Sequence, residues 1–184
     1  MKSLRLLKSG GDYRKLKIKN KVEDTAGAVC KIIFPIKIDI FEGRGTEISI
    51  CTLSSNDLLA KISTTFELMN NILVAGRLLS ENKGIDNLIR YCIRHAPLKY
   101  LLLCGNDSKG HLPGDALVNL FHHGVDRNGR IIHAVGKRPF LTCSKDDIKK
   151  FRNQVTLIDV RNCCDINKIS QTVSFIRSRD GKNL

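Results

Sequence analysis

Aromatic residues are scarce in this sequence: they make up 5% of the chain, and tryptophan is absent. This scarcity argues against a surface on which the bases of single-stranded nucleic acid would stack. No apolar run approaches the roughly 20 residues that a membrane-spanning helix needs. The first residues also form too short an apolar core for a secretory signal. The sequence therefore predicts a soluble, intracellular protein.

Several catalytic and metal-binding signatures are absent as well. The chain contains no P-loop, no G-x-G-x-x-G, no Ser-His-Asp order and no paired carboxylates, so we predict no catalytic residue. Its seven cysteines are an odd number and include no C-x-x-C pair, which argues against a zinc site or a disulfide framework. Free thiols in a reducing cytoplasm are the better interpretation.

The charge balance is the strongest compositional signal, because the net charge is +13. Such a charge favours anionic partners, which include nucleic acid, acidic proteins, phosphate-bearing cofactors and membrane surfaces. A solvated lysine-rich surface explains the same number equally well. Charge alone leaves the two interpretations open.

The length of 184 residues predicts one domain, or one domain with an appendage. Residues 1–45 are interpreted as a basic N-terminal extension. It ends in a β-rich stretch, and Pro35 within that stretch predicts an edge strand or a bulge. Residues 46–184 are interpreted as the main α/β domain.

Short apolar runs alternate with segments of helical spacing along this main domain. The pattern predicts a Rossmann-like, doubly wound, mainly parallel sheet with helices on both faces. Right-handed crossovers would then bring the loops after residues 53, 76 and 104 to one edge. The predicted strands cover 47–53, 72–75, 100–104, 130–135 and 155–160, and the predicted helices cover 57–70, 83–95, 114–123, 145–153 and 165–177. The stretch S-K-D-D at 144–147 resembles a capping box for the helix at 145–153, with Asp in place of the usual Glu or Gln.

A glycine-rich loop follows the most apolar of these strands, at 100–104, and it carries His111 between Gly110 and Gly114. A loop at the carboxyl end of a parallel strand is where open α/β folds hold ligands. An imidazole flanked by glycines suits a metal ligand, because the backbone permits close approach. A loop histidine that satisfies backbone groups is the alternative, and the residues alone favour it.

Four stretches in order carry a resemblance to a known family. They are S-E-N-K-G-I-D at 80–86, L-L-C-G-N-D-S-K-G-H-L-P-G at 102–114, N-G-R-I-I-H-A-V-G-K-R-P-F at 128–140 and F-R-N-Q-V-T-L-I-D-V at 151–160. Over residues 46–178 the chain resembles the MtrA family, which comprises the corrinoid-carrying A subunits of tetrahydromethanopterin S-methyltransferase and their soluble homologues.

The resemblance implies that His111 is the lower axial ligand to the cobalt of cobalamin or a related cobamide. It further implies a methyl carrier: reduced cobalt takes a methyl group from a methylated pterin or another donor and passes it to a thiol acceptor. Methyltransferase proteins would be its partners, in the cytoplasm, in one-carbon metabolism of the methanogenic type. The chain would be a soluble homologue or a truncated membrane protein, and the basic extension favours the first.

The resemblance also implies a set of residues around the cofactor. Two departures from the family pattern stand out: Asp115 occupies the place of a glutamine, and residues 53–56 replace a loop that has a histidine. Asp115 would cap its helix or approach the corrin edge. The implied cofactor-binding residues are Ser54, Ser55, Asn56, Ser80, Glu81, Asn82, Gly105, Gly110, His111, Leu112, Gly114, Asp115, Gly136 and Pro139.

Some of these residues also have simpler interpretations. Ser80 or Asn82 would serve as the N-cap of the following helix, and this role is compatible with a cofactor contact. The segment around Gly136 and Arg138 is either a turn with a solvated basic face or a phosphate or partner contact, and the turn is slightly favoured.

A second function, from another class, stays open at this point. A basic module could reuse the same fold to bind nucleic acid or protein without any corrinoid. It would show binding that weakens steeply with salt.

Overall fold

A five-stranded sheet forms the centre of the fold in a computed structural model, which describes residues 40–180. The strand order is β1-β3-β2-β4-β5, with β1 antiparallel to β3 and the other neighbours parallel. The strands are β1 Ile40–Glu42, β2 Ile48–Cys51, β3 Val74–Gly76, β4 Tyr100–Gly105 and β5 Thr156–Arg161. The helices are α1 Asn56–Thr64, α2 Phe66–Asn71, α3 Lys83–Arg94, α4 Pro113–His123, α5 Lys145–Gln154 and α6 Ile166–Asp180.

Strand β4 is apolar throughout because helices cover both faces of the sheet. Leu101 and Leu103 pack into one core with apolar residues of α3, α4 and α5. Leu102 and Cys104 point to the other face, into a second core that includes residues of α1, α2 and α6. The predicted α/β class, with a mainly parallel sheet wound on both sides, is confirmed.

The carboxyl ends of the parallel strands are joined at one edge of the sheet. The amide of Thr52 donates to the carbonyl of Gly76 at 2.9 Å, and the amide of Ser54 donates to the carbonyl of Asn106 at 3.1 Å. The loops after β2, β3 and β4 therefore meet at this edge, as the predicted crossovers require. We call it the carboxyl edge below.

Most of the predicted helices and strands are present with small changes of boundary, but two predictions are wrong. Residues 130–135 do not form a strand; Arg130 and Ile131 make only isolated bridges. The helix predicted over 57–70 breaks at Thr65, which has the extended values φ −89° and ψ 99°. The hydroxyls of Thr64 and Thr65 donate to carbonyls of the preceding turn, and such bonding favours an interruption.

The capping box predicted for α5 is confirmed in its main contact, since the Ser144 hydroxyl accepts from the amide of Asp147 at 3.0 Å. The cysteines in the described region are all free. Cys51 and Cys92 are buried, and this burial raises the pKa of each thiol to about 12. Such thiols are packing groups and are not nucleophiles at neutral pH.

The predicted N-terminal extension falls almost wholly on residues 1–39, outside the described residues, so its boundary at residue 45 stays a prediction. Strand β1, which begins at Ile40, is an exposed edge strand. None of the helices between residues 40 and 180 combines the length and the apolar character required to cross a membrane. The cytoplasmic location stays a prediction.

Candidate functional site

The imidazole of His111 is held from one side by a buried carboxylate. Its Nδ1 lies 2.9 Å from Oε2 of Glu81, whose side chain is 0% exposed, whereas the side chain of His111 is 60% exposed. A carboxylate only accepts hydrogen bonds, so Nδ1 is the donor of this pair, and Nε2 of the neutral imidazole keeps its lone pair. The arrangement presents an oriented imidazole at the protein surface.

Glu81 is itself fixed by a second contact. Its Oε1 accepts a hydrogen bond of 3.0 Å from the backbone amide of Arg138. The two carboxylate oxygens thus tie together the loop after β3, which carries Glu81, the loop after β4, which carries His111, and the segment after α4, which carries Arg138. The sequence placed Glu81 in a polar loop near the cofactor, but only the structure shows that it supports the histidine.

The loop that contains Glu81 leads into α3, and both predicted capping residues act there. The Ser80 hydroxyl accepts from the amide of Gly84 at 2.9 Å, and Oδ1 of Asn82 accepts from the amide of Lys83 at 2.6 Å. The short loop is therefore fixed at the start of the helix. This leaves Glu81 little freedom to leave His111.

The loop that carries His111 is anchored at its end by Asp107. The Asp107 carboxylate accepts from the amides of Gly114 at 3.0 Å and Asp115 at 2.9 Å, in the first turn of α4. A Cβ added at Gly114 would lie 2.9 Å from Oδ2 of Asp107, so a glycine is needed for this close approach. Asp107 thus serves the helix N-terminus and does not orient the imidazole.

The beginning of the same loop is anchored by the serines that follow β2. The Ser54 hydroxyl donates to the carbonyl of Asn106 at 2.7 Å, and the Ser55 hydroxyl accepts from the amide of Asn106 at 2.8 Å. At Gly105, φ is +74°, and an added Cβ would meet the carbonyl of Thr52 at 2.4 Å. These predicted site residues hold the histidine loop, and the described contacts give Asn56 no such role.

Asp115 holds the segment that covers the other side of the histidine loop. Its Oδ2 accepts from the amide of Val135 at 3.0 Å, and its Oδ1 accepts from the Asn119 side chain at 3.1 Å. Of the two roles predicted for Asp115, neither describes this contact, which links α4 to the segment before Gly136. Pro139, in the same segment, is buried.

The backbone around His111 includes unusual conformations. Leu112 adopts the left-handed region with φ +48°, and Gly110 has φ +90° with no atom within 4 Å of a Cβ built on it. A left-handed conformation costs a leucine about 1 kcal/mol, and such strain concentrates at functional sites. The hydroxyl of Ser108 in this loop is buried and has no hydrogen-bond partner.

The fit between Gly136 and the histidine loop gives a first prediction. A Cβ at Gly136 would lie 2.6 Å from the His111 carbonyl oxygen and 3.1 Å from Cγ of Glu81. Gly136→Ala is therefore expected to lower the free energy of unfolding by about 1–3 kcal/mol, as overpacking does. Urea unfolding followed by circular dichroism measures the change.

Gly110→Ala is the matched control, because it adds backbone strain of roughly 1 kcal/mol without a clash. A loss no greater for Gly136→Ala than for this control would contradict the close contact.

Three further groups lie outside the site around His111. Asp86, to which the sequence gave no role, is 2% exposed and accepts hydrogen bonds from Thr142 and Cys143. His122 and His123 lie in the last turn of α4. The guanidinium of Arg130 donates to the carbonyls of Ile131 and Ala134, so it stabilises its own loop.

Comparisons with known proteins place the chain in a family. The MtrA family model, which describes the A subunit of tetrahydromethanopterin S-methyltransferase, matches residues 45–184. A protein of Methanosarcina acetivorans, named as the A subunit of the methyltransferase Mtx, is 30% identical over 147 residues, which are 79% of this chain and 70% of that protein.

Two other relatives carry the name of the tetrahydromethanopterin enzyme. The A subunit of Methanocaldococcus jannaschii is 33% identical over 109 residues, 58% of this chain and 45% of that protein. The A 2 subunit of Methanothermobacter marburgensis is 38% identical over 89 residues, 47% of this chain and 48% of that protein. The chain thus spans about half the length of these two relatives.

The family model covers well over half of the chain and includes every residue of the site around His111. The chain therefore belongs to the MtrA family, that of the A subunits of tetrahydromethanopterin S-methyltransferase.

Proposed function

We propose that this protein is the corrinoid-carrying component of a methyltransferase system. The observation that carries the proposal is the exposed imidazole of His111, oriented through Nδ1 by the buried Glu81. This is the usual support of a histidine that ligates a metal through its other nitrogen. Membership of a family of methyltransferase subunits makes a methyl carrier the matching function.

The residues present fit a corrinoid better than a bare metal ion. Between residues 40 and 180, no group of three or more His, Cys, Asp or Glu side chains could hold a metal. A corrin ring itself holds its cobalt, so a single protein ligand would be enough. His111 would provide that ligand, on a loop where Gly110 leaves open space.

A bound cobalamin or related cobamide would supply a cobalt centre that accepts and releases a methyl group, chemistry that no side chain offers. The chain would contribute three things. His111 would bind the cobalt through Nε2, Glu81 would keep the proton on Nδ1, and the loops held by Ser54, Ser55 and Asp107 would fix the imidazole in place.

The donor and acceptor belong to the same proposal. A methylated pterin or another donor would provide the methyl group, and a thiol would receive it. Separate methyltransferase proteins would catalyse both transfers, since we assign no catalytic residue to this chain. The relatives are named as methyltransferase subunits, which supports such partners.

Mixing the whole protein with hydroxocobalamin, desalting it and recording a visible spectrum tests the proposal. We expect close to one equivalent of chromophore to stay with the protein. Hen lysozyme, another basic protein, is the control for adsorption through charge. A colourless protein would contradict the proposal, and a shift of duplex DNA by the same sample would favour the nucleic-acid alternative.

The tautomer argument predicts a marked effect of Glu81→Gln. The two atoms that face this side chain are both donors, Nδ1–H of His111 and N–H of Arg138, and a glutamine offers only one acceptor. If its NH₂ group faces His111, the imidazole proton moves to Nε2 and blocks the ligand atom. We expect corrinoid affinity to fall roughly 10- to 100-fold.

Absorbance titration with hydroxocobalamin measures this affinity. Glu67→Gln, an exposed change on α2, is the control and should bind as the wild type does. Equal affinity for the Glu81→Gln and wild-type proteins would show that the carboxylate is not needed to set the tautomer.

A further inference from the structure

The charges around His111 are arranged so that the acidic groups face inward. Three carboxylates in these loops and in the first turn of α4 are hydrogen-bonded within the protein: Glu81 to His111 and Arg138, Asp107 to amides of α4, and Asp115 to Val135 and Asn119. These hydrogen bonds orient the carboxylate oxygens toward donors of the protein. The carboxylates are therefore partly screened from a ligand that approaches the imidazole.

Two lysines in the same loops face outward. Lys109 lies two residues before His111, and Lys137 follows Gly136, where an added Cβ would be only 2.6 Å from the His111 carbonyl. Both lysines are exposed, and neither forms an ion pair with the described residues. The surface beside the imidazole is therefore positive and favours an anionic group of the ligand.

The identity of that anion rests on the proposed function. If His111 replaced the lower base of a cobamide, that base and the nucleotide tail that carries it would leave the cobalt. The tail would then be free to contact the protein. The tail contains a phosphodiester, whereas the other polar groups at the periphery of the corrin are amides and hydroxyls. An ammonium is a suitable point-charge partner for a phosphate oxygen.

We propose that Lys109 and Lys137 form a phosphate site beside His111 that binds the phosphodiester of the nucleotide tail. The pair makes the protein selective for complete cobamides over corrinoids that lack the tail. Ligation by His111 and recognition by the lysines are separate, so a corrinoid without a phosphate still binds through cobalt but gains nothing from the two ammonium groups.

Comparison of two probes tests this site. Hydroxocobalamin carries the nucleotide tail, and diaquocobinamide ends before the phosphodiester. In the double variant Lys109→Gln/Lys137→Gln, the dissociation constant for hydroxocobalamin should rise roughly 5- to 10-fold. The dissociation constant for cobinamide should stay within about 2-fold of the wild-type value. Raising the salt concentration should weaken hydroxocobalamin binding to the wild type more than to the variant.

Lys149→Gln/Lys150→Gln is the matched control, because it removes the same charge from α5. These lysines line a shallow groove with Ile93 and Ala96, near the start of β4 and the opposite edge of the sheet. The control should bind both probes as the wild type does, and unfolding curves should show all three proteins equally folded.

The outcomes separate the two proposals. Unchanged hydroxocobalamin affinity in the Lys109/Lys137 variant, or an equal loss for both probes, would overturn the phosphate site while the corrinoid function stands. A wild-type protein that binds neither probe would overturn the proposed function, and the phosphate site with it.

Discussion

Replacing His111 with asparagine is expected to abolish corrinoid retention while the protein stays folded. The side-chain amide of asparagine can donate to Oε2 of Glu81 much as Nδ1 of His111 does, so the buried carboxylate keeps its partner. Nothing replaces Nε2, because the asparagine side chain ends before that position. The variant therefore removes the proposed ligand atom and leaves the supporting contact.

After desalting, we expect His111→Asn to retain less than roughly a tenth of the chromophore that the wild type retains, because the variant has lost the proposed metal ligand. A second measurement identifies the ligand itself. Cobinamide has no lower base, so nitrogen superhyperfine structure in the electron paramagnetic resonance spectrum of its reduced, protein-bound form reports a protein nitrogen. This structure should be present in the wild type and absent from any residual complex of the variant.

His111→Ala serves as the comparison for stability. It removes the same ligand atom but also leaves the buried Oε2 of Glu81 without its hydrogen bond, at a cost of about 1–3 kcal/mol. We therefore expect His111→Ala to be less stable than His111→Asn and equally unable to hold corrinoid. Full retention of colour by His111→Asn would place the cobalt ligand elsewhere and contradict the proposed site.

Local pattern was sufficient to predict the four parallel strands and most helices. Strand β4 follows from an uninterrupted apolar run that ends in glycine, and α5 follows from the capping pattern that begins at Ser144. Both signals are local, because burial and capping act within a few residues. The break at Thr65 was missed because the helical spacing of apolar residues continues through it. The break is favoured by the threonine hydroxyl, which bonds to a backbone carbonyl of the preceding turn, and apolar spacing does not register such a bond.

The segment 124–143 could not be predicted, because distant contacts hold it. Ile131 and Ile132 suggested a strand, yet the segment folds around side chains that bind its backbone: Asp86 at residues 142 and 143, Asp115 at Val135 and Glu81 at Arg138. The partners lie 20 to 57 residues apart in sequence. The periodicity of apolar residues in the sequence does not predict contacts of this kind.

The same limit applies to the site. The glycines and the family resemblance identified His111, and the loops at the carboxyl edge followed from strand order. The hydrogen bond between His111 and Glu81 joins two loops that are 30 residues apart in sequence, and no local sequence pattern indicates that they meet. Sequence reasoning therefore predicted His111 as the ligand but could not predict the carboxylate that contacts it.

Asp86→Ala is expected to cause the largest loss of stability of any single change considered. The Asp86 carboxylate accepts from the amides of Thr142 and Cys143 and from the Thr142 hydroxyl, at distances between 2.6 and 3.0 Å. It is 2% exposed, so alanine leaves these donors unpaired and separates α3 from the segment that leads into α5. We expect the free energy of unfolding to fall by about 3 kcal/mol in urea titrations.

Asp86→Asn should cost roughly half as much, because one amide oxygen still accepts and the NH₂ group can donate to the Thr142 hydroxyl. Asp57→Asn, an exposed change in the first turn of α1, is the control and should alter stability by no more than about 0.5 kcal/mol. An Asp86→Ala protein as stable as this control would show that the contacts are replaced by water without loss.

The pH dependence of stability distinguishes the carboxylate from a simple packing effect. Burial raises the pKa of Asp86, but the hydrogen bonds from Thr142 and Cys143 outweigh it and bring the pKa below its usual value. A carboxyl whose pKa is lower in the folded state stabilises the fold fully above its unfolded pKa of about 3.9. This stabilisation is lost as the pH falls through the lower, folded value. The difference in unfolding free energy between wild type and Asp86→Ala should therefore be constant from about pH 5 to 7 and shrink below about pH 4. If the difference instead stayed constant down to about pH 2, the ionised carboxylate would contribute nothing to stability.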